Sequence, residues 1–282
     1  MSVTTTTTLS SPAGAALAEA PPAATRAGWR HTVGDALAVT WRNLVAYVRL
    51  PELIVFSTIQ PVIIVLLFRY VFGDSITLSD PSIDYVDYLM PGVFVQAATF
   101  GAMATGVGLA DDMAKGLIER FRSLPMARSA VLVGRTLADT IRNVAVMALV
   151  TVVGFAVGFR IHGGVPAYLL AVALVLLFAF ALSWVVATVG LGAPNSEAAQ
   201  AAIFPLVFPL TFASSAFVDT SFMPGWLRAF ADHQPVSVTA DAARDLAVGQ
   251  PVGWGAAASI AWSLAILAVF VPLAVRRYRR IA

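Results

Sequence analysis

The side chains that could carry out chemistry are few in this sequence and far apart. The chain has no cysteine and three histidines, at positions 31, 162 and 233. Metal sites and catalytic triads need several such groups held together, so this spacing indicates neither. A P-loop is also missing, because it needs a lysine after a glycine-rich turn, and the only lysine, Lys115, follows "DDMA". We therefore expect no catalytic residues, no metal and no cofactor bound by this chain.

One pair of opposite charges lies inside an apolar segment. Asp139 and Arg142 are one helical turn apart, and Arg135 is one turn before Asp139. A charge pair within a membrane-spanning segment is a candidate functional site. Near the end of such a segment, it is more often a structural pair whose long side chain reaches toward the lipid headgroups. The sequence leaves both interpretations open.

The densest charge lies in "DDMAKGLIERFRSLPMARSAVLVGR", residues 111–135, which holds five of the eighteen basic residues. Asp111 and Asp112 are typical of a helix start and Pro125 of a helix end, which predicts a short amphipathic helix. Its charges are of both signs. That mixture favours docking to a protein surface by charge complementarity. The alternative is a helix that lies on lipid headgroups.

The elements that must position these groups are membrane-spanning helices. The chain is 59% hydrophobic and 12% charged, with a mean hydropathy of +0.80, whereas charged residues make up about 25% of soluble domains. Apolar runs recur with about twenty residues each, the length that crosses about 30 Å of hydrocarbon. They predict six spans, at about 53–72, 89–110, 137–159, 167–190, 198–217 and 254–275.

Basic residues between the spans predict the orientation, because Lys and Arg concentrate on the cytoplasmic side. With both termini inside, thirteen basic residues are cytoplasmic and four are outside or at the outer edge. The loop at 73–88, with four aspartates and no cation, fits an outside position. We predict a multi-pass protein of the cytoplasmic membrane with both termini in the cytoplasm.

Two segments precede the first span. Residues 1–28 are mostly small and polar without a period, which predicts a disordered tail. Residues 29–50 form a predicted amphipathic helix in the membrane interface; the alternative is a soluble helix packed on a core. Its apolar face consists of Val33, Leu37, Trp41, Leu44 and Val48.

The second and fifth spans contain features that could shape a pathway. Small residues at spacing four, Ala98, Ala102 and Gly106, permit close helix contact within the subunit or with a second copy. Pro205 and Pro209 each remove a helical hydrogen bond and favour a bend.

The end of the fifth span and the stretch after it contain further polar residues and prolines. Ser214 and Ser215 could satisfy freed carbonyls or contact a substrate. Pro224 and Pro235 then predict two short helices, in a re-entrant hairpin or an ordinary surface loop.

Three blocks of the sequence resemble ABC transporter permeases of the daunorubicin-resistance type, the membrane subunits of type 2 ABC exporters. "WRNLVAYVRLPELIVFSTIQPVIIVLLFRYVFG" is similar to that family's interfacial helix and first span. "DYLMPGVFVQAATFGAMATGVGLADDMAKGLIERFRSLPMARSAVLVGR" is similar to its second span and following loop. "FPLTFASSAFVDTSFMPGWLRAFADHQPVSVTADAARDLAVGQ" is similar to its fifth span and outer segment. The resemblance runs in order from about residue 35 to 278.

The resemblance implies an all-α integral membrane protein, with residues 29–282 as a type 2 ABC exporter transmembrane domain. It implies six transmembrane helices, an N-terminal interfacial helix, a cytoplasmic coupling helix and an extracellular re-entrant segment before the last span. Such a permease exports hydrophobic or amphipathic drugs, antibiotics or lipid-like molecules. It pairs with a second permease in a homodimer or heterodimer, and a separate ATP-binding subunit uses ATP and Mg²⁺.

The resemblance also implies two groups of functional residues. Expected to contact the ATPase are Asp112, Lys115, Gly116, Leu117, Glu119, Arg120, Phe121 and Arg122. Expected at the outer gate or along the translocation path are Pro205, Pro209, Ser214, Ser215, Phe217, Met223, Pro224 and Trp226.

Two other classes of function compete. A secondary, ion-coupled multidrug transporter is expected to show inverted repeats or protonatable residues at mid-span, and the sequence has no such repeat and uncharged span centres. An intramembrane enzyme would need the nucleophile or metal constellations that the sequence lacks.

Overall fold

The computed structural model describes residues 29–49, 51–73, 83–116 and 128–281, together with Ile76 and Leu78. Within these ranges the chain is helical and has no β-strand. A π-helix, Phe68–Phe72, extends α2, and a 3₁₀-helix, Thr220–Phe222, precedes α7. The α-helices are α1 (Trp29–Arg49), α2 (Pro51–Leu67), α3 (Tyr85–Ala114), α4 (Arg128–Val157), α5 (Gly164–Gly190), α6 (Ser196–Phe212), α7 (Gly225–His233), α8 (Pro235–Val248) and α9 (Gly255–Ile281).

Four of the described helices, α3, α4, α5 and α9, are long and apolar enough to cross a membrane. They match the second, third, fourth and sixth predicted spans. The first and fifth predicted spans fall on α2 and α6, which have 17 residues each. At 1.5 Å per residue each of these two reaches about 26 Å, less than a hydrocarbon core of about 30 Å. The fold is that of a helical multi-pass membrane protein, and the predicted tail at 1–28 lies outside the described residues.

α3 lies at the centre of the bundle and packs against α2, α4, α5, α6 and α8. Its contact with α5 brings two backbones together. A Cβ at Gly106 would lie 2.4 Å from the Val186 carbonyl oxygen, and a Cβ at Gly190 would lie 2.2 Å from the Gly106 carbonyl oxygen. Ala98 and Ala102 of the same small-residue stripe are each 1% exposed. The stripe therefore packs within the subunit and not against a second copy.

α1 lies beside α4 with its apolar face turned away from the protein. The Thr40 hydroxyl donates to the carbonyl oxygen of Gly134 at 3.1 Å, and a Cβ at Gly134 would lie 2.7 Å from the Val39 Cβ. On the predicted apolar face, Trp41 is 70% exposed and Val48 is 76% exposed. The predicted apolar face is therefore not the face through which α1 packs on the bundle. An exposed apolar face beside a membrane bundle is typical of an interfacial helix.

The chain direction defines two opposite ends of the bundle. α3, α5 and α9 run toward the end that carries α1, and α4 and α6 run away from it. At this α1 end, the guanidinium of Arg277 in α9 covers Gly192 in the turn between α5 and α6. The opposite, α8 end carries the segment after α6 together with α7 and α8.

Candidate coupling and gate sites

The predicted coupling site begins in the last turn of α3. Asp111 and Asp112 belong to this turn, and α3 is closed by Gly116, whose φ is +66°. The prediction that a helix starts at these aspartates is therefore wrong. Carboxylates at a helix C-terminus face the negative end of the macrodipole, and cations compensate them here. The Lys115 Nζ lies 2.6 Å from Asp111 Oδ2, and Arg135 of α4 donates to Asp112.

Three of the predicted coupling residues lie within the described part of the chain. The Asp112 side chain is 18% exposed and is engaged by Arg135, whereas the Lys115 side chain is 64% exposed. The hydrogen bond and charge of Asp111 raise the pKa of the Lys115 ammonium. Outside the described residues lie Leu117, Glu119, Arg120, Phe121 and Arg122.

A buried polar network joins α1, α3 and α4 near the same end. Asp139 is 1% exposed and accepts hydrogen bonds from the hydroxyls of Tyr47 and Thr105. The Arg142 Nη1 lies 3.8 Å from Asp139 Oδ1, and its Nη2 donates to the Gly101 carbonyl oxygen at 2.7 Å. Arg142 therefore bonds within the bundle, which fits a structural pair but not a side chain that reaches toward the headgroups. Buried charges need such partners, and these partners tie α1 to two long helices.

At the α8 end, Arg244 of α8 holds the segment that follows α6. It is 7% exposed, and its guanidinium lies 3.6 Å from the centre of the Tyr88 ring on α3. Its Nε donates to the Tyr88 carbonyl oxygen at 3.0 Å, and its Nη2 donates to the Ser215 carbonyl oxygen at 2.7 Å. Its Nη1 donates to Asp241, which also accepts from the Ser215 hydroxyl. We call Tyr88, Ser215, Asp241 and Arg244 the Arg244 cluster.

Further side chains cover the backbone of the same non-helical segment. The Gln234 Nε2 donates to the carbonyl oxygens of Leu210 and Ala213, both at 2.8 Å. On the other side, the segment touches α3 so closely that a Cβ at Gly92 would lie 1.7 Å from the Ala216 carbonyl oxygen. Irregular backbone is tolerated at membrane depth only where protein shields it or it lines a cavity. The segment meets the first of these conditions, and α7 and α8 confirm the two short helices predicted after Pro224 and at Pro235.

The predicted gate residues divide into a buried and an exposed group. Ser214, Ser215 and Phe217 are 2%, 4% and 4% exposed. The Ser214 hydroxyl donates to the Thr211 carbonyl oxygen, so both serine hydroxyls are used within the subunit. Met223 is half-buried, and the exposed residues are Pro205, Pro209, Pro224 and Trp226. α6 continues through both of its prolines as far as Phe212.

A run of six phenylalanine rings follows the surface of α6 and crosses to the π-helix. Centroid distances between successive rings are 5.1, 4.4, 5.5, 4.8 and 5.4 Å, at or near the range of about 4.5–7 Å for favourable aromatic pairs. We call this series the aromatic run: Phe204, Phe208, Phe212, Phe217, Phe68 and Phe72. Of the six, only Phe217 was predicted as a gate residue, although the spacing of four between the three rings on α6 is a signal that could have found those three.

The described residues contain no group of three or more His, Asp or Glu that could hold a metal ion. Apart from the Arg142 Nε, which is buried without a partner, the polar groups described for the Asp139 network and the Arg244 cluster bond to one another or to backbone, and so fix helices in place. The described residues thus present three features: a charged α1 end, a segment at the α8 end that is held by hydrogen bonds, and an exposed aromatic surface between them.

Comparison with known proteins agrees with this architecture. Residues 35–247, which run from α1 to α8, match the model of the ABC-2 type transporter family. The chain is 34% identical over 247 residues to the daunorubicin resistance ABC transporter permease protein DrrB1 of Streptomyces coeruleorubidus, covering 88% of this chain and 87% of that protein. It is 29% identical over 193 residues to the probable doxorubicin resistance ABC transporter permease protein DrrC of Mycobacterium tuberculosis, covering 68% and 69%. The chain therefore belongs to the ABC-2 type transporter family and is an ABC permease.

Proposed function

We propose that this chain is the membrane subunit of an ATP-driven exporter that moves hydrophobic or amphipathic molecules out across the cytoplasmic membrane. The family match over 35–247 is the observation that carries the proposal. Relatives that are named for daunorubicin and doxorubicin resistance point to drugs, antibiotics or lipid-like molecules as cargo. Energy comes from a separate ATP-binding subunit that uses ATP and Mg²⁺, because the sequence has no P-loop.

In this proposal the chain crosses the membrane six times, with both termini in the cytoplasm. The four long helices supply four crossings. α2 with its π-helix supplies another, and α6 with the braced segment after it supplies the sixth. α1 lies in the inner interface with its apolar face toward the acyl chains. The α1 end is cytoplasmic because arginines concentrate there.

Residues 112–124, the coupling segment, contact the ATPase in this mechanism. ATP binding draws two ATPases together and displaces the segment, whose first residues belong to the last turn of α3. Arg135 links Asp112 to α4, and the Asp139 network links α3 and α4 to α1. Displacement at the α1 end is thus passed to helices whose other ends reach the α8 end.

A second permease copy completes the pathway, in a homodimer or a heterodimer. The aromatic run is exposed on one subunit, with Phe204, Phe208 and Phe212 each between 41% and 43% exposed. A second copy facing this surface would enclose an aromatic passage suited to apolar cargo. The segment braced by the Arg244 cluster then forms the outer gate, which opens when α3 and α6 separate from α8.

Accumulation of doxorubicin in inside-out membrane vesicles tests the proposal. With the ATP-binding subunit co-expressed, we expect uptake that requires ATP and survives a protonophore. The second candidate function is a secondary, ion-coupled multidrug transporter. The buried Asp139 carboxylate favours it, because such groups serve in proton relays. Uptake without ATP that the protonophore abolishes would establish this alternative.

The topology predicts which of two exposed arginines is reachable from outside. The chain has no cysteine, so single replacements give clean labelling. Arg228→Cys on α7 is expected to react with an impermeant thiol reagent in sealed cells, and Arg279→Cys at the end of α9 is expected to react only after lysis. Labelling of Arg279→Cys in intact cells would contradict the six-span arrangement.

Reversing one charge tests the coupling segment. Glu119→Lys places a like charge against the cation it would meet on the ATPase, and such mismatches cost several kcal/mol. We expect loss of the co-purifying ATPase with normal membrane insertion, since an added inside cation reinforces orientation. Leu117→Asp, which disrupts the apolar face, should have the same effect. If the segment instead lies on headgroups, Glu119→Lys would strengthen adhesion by about 1 kcal/mol and leave transport intact.

A further inference from the structure

A small pocket lies between α2, α3 and α4, next to the Asp139 network. Its volume is about 80 Å³. Because a water molecule occupies about 30 Å³ in the liquid, the pocket accepts a polar group of two or three heavy atoms and not a whole drug molecule. Its polar wall consists of Ser57, Gln60, Arg142 and Asn143, and Phe100 forms part of its apolar wall.

Arg142 contributes a buried guanidinium to the wall of this pocket. Its Nη2 bonds to the Gly101 carbonyl oxygen, but its Nε is buried and has no hydrogen-bond partner in the structure. The Arg142 side chain is 7% exposed. A buried N–H without a partner is unfavourable, and an acceptor oxygen in the pocket would satisfy it once the Arg142 side chain turns toward the pocket.

The charges around the pocket indicate whether a neutral or an anionic oxygen would bind there. Asp139 balances the charge of Arg142 and is itself held by two hydroxyl donors, so the surroundings are neutral as a whole. Such surroundings suit a carbonyl or hydroxyl oxygen better than a full anion. Asn143 and Gln60 add amides that can both donate and accept hydrogen bonds.

The apolar wall of the pocket indicates which kind of molecule would carry these oxygens. Phe100 is partly exposed on α3 and borders the pocket. A ligand with its polar edge in the pocket would lay the rest of its surface along this ring, and aromatic rings favour stacked or edge contacts with other rings. Gln60 is exposed on α2 at the same pocket and is thus accessible to an incoming molecule.

We propose that this pocket binds the oxygen-bearing edge of a planar aromatic cargo, with Arg142, Asn143 and Gln60 as its hydrogen-bonding partners and Phe100 as its stacking surface. The site deepens the proposed export function and rests on it. In the proposed topology it lies in the cytoplasmic half of the membrane, where cargo enters before it reaches the aromatic run.

The test uses doxorubicin, a planar aromatic probe with carbonyl and hydroxyl oxygens, and the permease purified with its co-expressed ATP-binding subunit. Fluorescence titration should give a Kd about threefold to tenfold weaker for Gln60→Met and for Asn143→Leu, because each removes a hydrogen bond while roughly keeping side-chain size. The matched control is Ile63→Ala, whose side chain lines a separate apolar groove between α2 and α4. Its Kd should stay within about twofold of the parent, because it removes no hydrogen bond.

The melting temperature of each variant distinguishes loss of binding from unfolding. If Asn143→Leu unfolds, the Kd of Gln60→Met decides the test, because Gln60 is exposed. Equal doxorubicin affinity in all variants would contradict binding in this pocket. The export proposal is tested separately, because ATP-driven accumulation is measured on the same variants. Absence of doxorubicin binding to the parent would contradict the proposal that the cargo is a planar aromatic molecule. A phospholipid retained by the parent and lost from Asn143→Leu in native mass spectrometry would assign the pocket to lipid instead.

Discussion

Replacing Arg244 with alanine is expected to abolish export and to lower the stability of the permease. The change removes the charged donor of the Tyr88 and Ser215 carbonyl oxygens, and each hydrogen bond to a charged group is worth about 1.5–3 kcal/mol. The Ser215 carbonyl oxygen keeps the hydrogen bond from the Tyr88 hydroxyl at 3.0 Å. It also removes a close cation–π contact on the Tyr88 ring, worth up to about 2 kcal/mol when desolvated. The total is a large share of a net stability of about 5–15 kcal/mol.

The matched control is Arg228→Ala on α7. Arg228 also has an acidic partner on its own helix, Asp232 at 3.4 Å, but its side chain is 52% exposed. Exposed pairs of this kind contribute about 0–1 kcal/mol. We expect parental melting temperature and doxorubicin accumulation for this variant. Arg244→Lys should fall between the two, because an ammonium cannot reproduce the planar, multiply donating guanidinium. Parental transport by Arg244→Ala would show that the cluster does not brace the gate.

Gly92→Ala is expected to displace the segment after α6 with the addition of a single methyl group. The new Cβ would lie 1.7 Å from the Ala216 carbonyl oxygen, so one backbone must move. Overpacking of this kind costs about 1–3 kcal/mol and occasionally more. Because Ser215 is the neighbouring residue, the shift also stretches the bonds of the Arg244 cluster. We expect a lower melting temperature, faster proteolysis after α6 and loss of accumulation.

Gly225→Ala at the start of α7 is the control for this prediction. A Cβ at Gly225 would meet nothing within 4 Å, and Gly225 is not among the glycines with positive φ. Alanine is favoured over glycine in a helix by about 1 kcal/mol, so this variant should match or exceed the parent in stability. Equal melting curves for Gly92→Ala and the parent would contradict the close contact between α3 and the segment.

The sequence by itself determined the elements whose signals are local. Hydropathy summed over about twenty residues identified α3, α4, α5 and α9, because the length of an apolar segment depends only on that segment. Pro224 and Pro235 marked the starts of α7 and α8, since proline favours the first turn of a helix. The motifs that resemble daunorubicin-resistance permeases also identified the family, which the match over 35–247 confirms.

Tertiary structure alone decided where the polar groups of these elements point. Asp111 and Asp112 resemble a helix start, yet the spanning helix α3 continues through both and ends beyond them, with Arg135 of α4 as compensation. The burial of Asp139 depends on Tyr47, 92 positions earlier, and that of Arg244 depends on Tyr88, 156 positions earlier. Residue type and spacing carry no information about partners so distant in the chain. Those contacts form only when helix packing brings the side chains together, because a buried charge must find partners wherever the fold supplies them.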